Sequence, residues 1–177
     1  MTTLSTSEEP YSVILHGDAY INNILFHYPS NVISTPDKVC LVDFQMSRYG
    51  SPALDLSFIL QLSLTADTRR NYRQLLRVYH DSLCEFVLDL DSNPEVFSFS
   101  ALEEEMKKYS AFGMAMALVA VPGTLNEDSG PMDSFSADTD GNYIVRAISS
   151  SFENMSDKCE KKIIELLSEA LTHGYLK

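Results

Sequence analysis

Asp18 and Asn23 stand five residues apart in a polar turn, His16-Gly17-Asp18-Ala19-Tyr20-Ile21-Asn22-Asn23, that one apolar run enters and a second leaves. Further on, the run Val39-Cys40-Leu41-Val42 ends in Asp43-Phe44-Gln45. A carboxylate held in a turn can orient a hydroxyl and accept its proton. A second carboxylate at a strand end, joined by a side-chain amide, offers the hard oxygen donors that Mg²⁺ prefers. Together these groups suit phosphoryl transfer to a hydroxyl, where catalysis is mostly positioning and charge stabilisation. Four fixed residues of this kind recur by chance in about one chain in a thousand of this length. The bland alternative is a β-hairpin whose Asp and Asn merely make turn hydrogen bonds. The ordered presence of Asp43-Phe44-Gln45 weighs against it.

The elements that must position these residues follow from the apolar pattern. Residues 11–15 read as a strand leading into the turn and residues 23–27 as its continuation. Pro29, Ser30, Asn31 and Pro36 mark residues 28–37 as a loop, and residues 39–43 return as a partner strand. Strands this close in sequence make an antiparallel hairpin, which brings Asn23 and Asp43 to the same end. Residues 45–54 connect onward, with Arg48 and Tyr49 read as structural. Asp55 falls where a helix should begin, as a cap or first-turn acid for residues 56–64. From Thr65 one long helix is expected towards Leu90, with Tyr72, Leu75, Leu76, Tyr79, Leu83, Phe86, Val87 and Leu90 on its buried face. His80 on that helix reads as a packed or surface histidine. Ser92-Asn93-Pro94 ends the helix, and the capping box Ser100-Ala101-Leu102-Glu103 opens another over residues 101–121. Residues 121–142 read as an irregular loop, plain and solvated or, as the alternative, a long functional loop near the substrate cleft. Residues 143–152 and 157–172 are expected to be helical. The last helix should bury Ile163, Ile164, Leu167, Ala170 and Leu171 and stop at Gly174.

The spacing of Asp18 and Asn23 is that of the phosphotransfer loop H-R-D-x-x-x-x-N, and Asp43 takes the place of the Asp in D-F-G. His16-Gly17-Asp18 with Asn23 resembles the catalytic loop of the aminoglycoside phosphotransferase and choline kinase group. Val42-Asp43-Phe44-Gln45 and Tyr49-Gly50-Ser51-Pro52-Ala53-Leu54-Asp55-Leu56 narrow the resemblance to the ecdysteroid kinase-like (CHK kinase-like) family, over residues 13–56. The resemblance implies an α+β, protein kinase-like C-lobe, mostly helical, with a short antiparallel β-hairpin carrying the loop. It implies Asp18 as catalytic base, Asn23 and Asp43 as Mg²⁺ ligands, and His16 and Asp55 as supports of the loop. ATP and Mg²⁺ would be the cofactors and a small-molecule hydroxyl, ecdysteroid-like or another small alcohol, the acceptor. Only fifteen residues precede His16, none of them Gly, Lys or Arg. The nucleotide-binding N-lobe is therefore expected to be absent, its face open to a protein partner, and the chain by itself inactive. Two alternatives stand beside this reading. One is a non-catalytic remnant or partner-binding fragment of such a kinase. The other is an unrelated metal-binding or hydrolytic domain, weakened by the lack of any nucleophile-elbow setting for Ser or His.

Composition sets the outer bounds. With 177 residues and 45% hydrophobic content, the chain can bury a core. A net charge of −12 with no basic block opposes a nucleic-acid or anionic-membrane surface. Cys40, Cys84 and Cys159 are odd in number and lack C-x-x-C spacing, which suggests neither zinc nor a disulfide framework and fits a cytoplasmic setting. The longest apolar run, residues 111–121, is too short to span a bilayer. Residues 1–10 are expected to form a disordered tail without signal-peptide features, and residues 11–177 the partial C-lobe.

Overall fold

The computed structural model describes residues 10–29, 34–125 and 155–172. The chain divides into two compact units, Met1–Gly113 and Met114–Lys177. The architecture is α+β, mostly helical with small antiparallel sheets, as the pattern predicted.

In the first unit, strand β1 (Val13–Leu15) pairs with β4 (Arg48–Gly50), in the register Val13 to Gly50 and Leu15 to Arg48. The ribbon of β2 (Ile24–His27) and β3 (Lys38–Leu41) is separate, with Ile24 opposite Leu41 and His27 opposite Lys38. The expected hairpin is present. The segment after Asp43 is more than a connection, because β4 lies along β1 and returns the chain to the start of the turn. Three residues are too few for an alternating pattern to be seen, which is why β4 escapes a sequence reading.

Helix α1 (Ala53–Leu62) follows at once, opened by Ser51, whose Oγ accepts from the Ala53 amide at 3.3 Å. The expected long helix is split into α2 (Ala66–Arg69) and α3 (Tyr72–Asp89). Thr65 does cap, but it caps α2, accepting from Thr68 N at 3.3 Å. The break has a visible cause. Arg69 is buried and its guanidinium donates to the Gln61 carbonyl in the last turn of α1 and to the Leu64 carbonyl just after that helix, ending α2 against its C-terminal end. The apolar stripe of α3 is buried only in its first half: Leu76 is enclosed, whereas Phe86 and Leu90 are exposed. His80 is packed, donating Nε2–H to the Phe97 carbonyl at 2.8 Å. Helix α4 (Phe99–Leu125) starts two residues earlier than expected, because Ser98 rather than Ser100 accepts from the Ala101 amide.

The core of this unit joins Leu15 of β1, Ala53, Leu54 and Leu60 of α1, Leu76 of α3, and Phe99, Leu102, Met106 and Tyr109 of α4. Each fully buried side chain of this size is worth roughly 1.5–3 kcal/mol, so these helices fix the platform on which β1 and β4 sit. Within the second unit, α5 (Asp157–Thr172) is capped by Ser156, whose Oγ accepts from Cys159 N at 3.3 Å. It buries Cys159, Ile163, Leu166 and Ala170, while Ile164 and Leu171 are exposed. The buried stripe is thus turned by about one position from the expected one, since the adjacent pairs Ile163-Ile164 and Leu166-Leu167 supply two overlapping stripes. The expected tail, the helix at 143–152, the Gly174 stop and most of the loop at 121–142 lie outside the described residues.

Gly113 of α4 meets α1 so closely that a Cβ there would lie 2.3 Å from Ser57 Oγ and 2.5 Å from Ser57 Cβ. Gly113→Ala should destabilise the protein by about 1 kcal/mol or more, the overpacking outweighing the better helix propensity of Ala. A lower urea midpoint with an unchanged slope is the expected result.

Candidate functional site

The turn after β1 cannot form regular ladder bonds, so its polar backbone groups need partners from elsewhere. Asp55, in the first turn of α1, provides two. Its Oδ2 accepts from His16 N at 2.7 Å and its Oδ1 from Gly17 N at 3.1 Å. The position near a helix N-terminus favours this negative charge. Gly17 is required by conformation as well as by space. Its φ is +85°, and a Cβ would lie 2.0 Å from the Met46 carbonyl oxygen.

The buried His16 ring ties the turn to the end of β3. Its Nε2 lies 2.9 Å from the Val42 carbonyl, which can only accept, so Nε2 carries the proton. Nδ1 then accepts from the Asp18 amide at 3.3 Å. Phe44 packs against the ring, with centroids 4.6 Å apart. The carbonyls of His16, Gly17 and Asp18 are met as well. Ser47 Oγ donates to His16 O and Arg48 Nη1 to Gly17 O, each at 3.5 Å, and Tyr20 N donates to Asp18 O at 3.1 Å.

Asn23 lies in a short 3₁₀ turn at residues Ile21–Asn23 and is buried. Its Nδ2 donates to both the Asp18 carbonyl and Asp18 Oδ2, at 2.9 Å in each case. That use of the nitrogen turns Asn23 Oδ1 away, and leaves Asp18 Oδ1 without a partner among the described residues. The Asn23 carbonyl accepts from Val42 N at 3.0 Å, which sets Asn23 beside the residue that precedes Asp43. Asp43 itself is exposed, in the left-handed conformation at φ 65°, and receives only a long 3.4 Å contact from Gln45 Nε2. All five residues singled out by sequence, His16, Asp18, Asn23, Asp43 and Asp55, therefore meet around one turn.

Burial pushes the Asp18 carboxyl above the ordinary aspartate range. The Asn23 hydrogen bond and the nearby His16 ring oppose that, while the nearby Asp43 and Asp55 charges reinforce it. An apolar cleft of about 340 Å³ adjoins the turn, lined by Leu15, Ile24, Leu41, Phe44, Ile59 and Tyr79 among others, and it touches His16 and Asp55. Burial, with the Asp55 charge, pushes the Tyr79 hydroxyl up to about 12, so it stays protonated. Sequence reasoning passed over Ser47 and read Arg48 as structural without a partner, and the donors of both reach the turn; the signal available was only a short polar segment after Asp43-Phe44-Gln45.

The ecdysteroid kinase-like family model matches residues 1–92, half of the chain and the whole of this turn with its supports. The chain belongs to the ecdysteroid kinase-like family. Searches of curated proteins and of solved structures gave no match. The ecdysteroid kinase-like assignment implies, in general, a kinase-like small-molecule phosphotransferase that uses ATP and a divalent cation. Among the described residues no helix is long and apolar enough to cross a membrane.

Because the fold raises the proton affinity of Asp18, the ionised carboxylate destabilises the native state. That penalty is absent at pH values below the ordinary aspartate range, where both states are protonated, and it grows as pH rises through the raised value. Asp18→Asn keeps an acceptor for Asn23 without the charge. At pH 7 and without divalent cations it should be slightly more stable than the parent, by less than about 1 kcal/mol given solvent screening of a half-exposed group. The gain should vanish in thermal melts below the ordinary aspartate range.

Proposed function

We propose that this chain carries the base and metal side of a site that transfers a phosphoryl group from ATP to the hydroxyl of a small molecule, within a kinase-like C-lobe. The observation that carries the reading is the double hydrogen bond from Asn23 to Asp18, which leaves one oxygen free on each side chain at the edge of Asp43. Asp18 accepts the acceptor hydroxyl's hydrogen bond at Oδ1 and takes its proton as the new oxygen–phosphorus bond forms and the bond from the γ-phosphorus to the bridging oxygen of ATP breaks, with ADP leaving. Its raised proton affinity favours that role at a carboxylate still free to ionise.

Asn23 Oδ1 and the Asp43 carboxylate are hard oxygen donors suited to Mg²⁺, and the two side chains would hold it. Bound there, the cation would neutralise charge on the nucleotide phosphates. His16 and Asp55 keep the turn in place and touch no reacting atom. The groups that cover the nucleotide phosphates are expected outside the described residues, from further chain or from a second polypeptide. The acceptor is a small alcohol, of the ecdysteroid class or another.

A second reading, a fragment that works by binding a protein, has one observation in its favour. Leu25, Val39, Leu41, Phe44 and Met46 expose apolar surface around the ribbon of β2 and β3 and the Asp43 turn. Metal chemistry separates the two readings. In NMR titrations, Mg²⁺ should move the Asn23 side-chain and Asp43 resonances of the parent, and Asp43→Ala should bind at least about tenfold more weakly. Equal affinity of the two proteins would sink the phosphotransfer reading. In any preparation that turns over, Asp18→Asn should lower kcat by about 10²–10⁴-fold with little change in nucleotide affinity. A change within twofold would remove Asp18 from the role of base.

A further inference from the structure

Gly17 leaves the Gly17–Asp18 peptide unusually free. With no Cβ, nothing on residue 17 opposes rotation of the peptide that follows it. Rotation would carry the Asp18 N–H away from His16 Nδ1 and swing the Asp18 side chain off Asn23. The orientation must therefore be held by partners at the two ends of that peptide. At the N–H end the hold is the 3.3 Å bond to His16. At the carbonyl end it is Arg48.

Arg48 sits opposite Leu15 in the pairing of β4 with β1, one residue before the turn begins. From there its side chain runs alongside Gly17. A Cβ on Gly17 would lie 2.9 Å from Arg48 Nη1, so the guanidinium occupies space beside the turn that a larger residue would claim. Nη1 donates to the Gly17 carbonyl at 3.5 Å. The guanidinium also lies over the Phe112 ring, 5.7 Å from its centroid. Its Nε is buried with no hydrogen-bond partner, a cost that fits a side chain fixed for the benefit of its neighbours.

We propose that Arg48 is a positioning residue: its guanidinium holds the Gly17–Asp18 peptide in the orientation in which Asp18 meets Asn23. This deepens the phosphotransfer reading and rests on it for its functional meaning. The hold itself can be measured without any turnover. Arg48 acts through the backbone and touches no reacting atom.

The test uses the whole chain, ¹⁵N-labelled, as parent, Arg48→Ala and Arg48→Lys. In Arg48→Ala the Asp18 amide should exchange about tenfold or more faster, the size expected for losing a hydrogen bond from a charged donor. The Asn23 side-chain amide should shift towards the position of a free amide, while the amides of α1 and α3 keep their rates. Arg48→Lys, with a cation but no fork, should fall between. Unchanged exchange at Asp18 would overturn the proposal, and so would equal acceleration of every amide, which marks only a general loss of stability. Should Arg48→Ala fail to fold, Arg48→Lys decides by the same two criteria. In a preparation that turns over, Arg48→Ala should lower kcat about 10–100-fold at unchanged KM for the nucleotide, as loss of an outer support does. Absence of Mg²⁺ binding in the parent would remove the phosphotransfer reading and leave the exchange result to judge Arg48 by itself.

Discussion

The paired hydrogen bonds from the His16 and Gly17 amides to Asp55 hold the site together. They join a turn that has no ladder of its own to the first turn of a helix buried in the core. Hydrogen bonds to a charged acceptor are worth roughly 1.5–3 kcal/mol each, more than neutral ones. The arrangement also has a cost. Asp55, Asp43 and Asp18 are close enough that each of the first two disfavours the charge on the third. A cation between Asn23 and Asp43 would relieve part of that repulsion, which links the brace of the turn to the chemistry at its edge.

Around this brace, nearly every polar group of the turn is matched. The His16 ring is committed twice, as donor to Val42 O and as acceptor from Asp18 N, so its tautomer follows from its neighbours. The bond from Val42 N to Asn23 O continues the pairing of β2 with β3 one step past its last regular pair. Free acceptors remain on Asp18, Asn23 and Asp43. The framework of the turn is thus satisfied within the fold, and the acceptors left over lie on side chains at its edge, an arrangement of the kind electrostatic pre-organisation requires.

What could be read from sequence divides along physical lines. His16, Asp18 and Asn23 were legible because their types are rare in combination and their spacing is short, and Asp43 because it ends an apolar run. The hairpin was legible because its two strands are neighbours in the chain. Asp55 was legible as a first-turn acid from the helix pattern and as a support of the turn from the family resemblance, and its partners are the His16 and Gly17 amides. The split between α2 and α3 was not, because it depends on where the Arg69 guanidinium ends up, across from α1. The stripe of α5 was ambiguous because paired apolar residues satisfy two helical phases at once. Strand β4 and the reach of Arg48 were hidden for a related reason, since a three-residue strand has no period to display.

The ties that shape the turn span long stretches of chain. His16 lies 39 residues before Asp55, and Ile21 donates to Ser63, 42 residues on. Contacts of this separation form late in folding, after loop closure has been offset by other packing. Made from its N-terminus, the chain presents His16 and Gly17 well before the acid that receives their amides exists. The nascent turn is therefore no more than a flexible peptide. Its shape waits for α1, the helix that carries Asp55, so the turn's geometry cannot precede that helix.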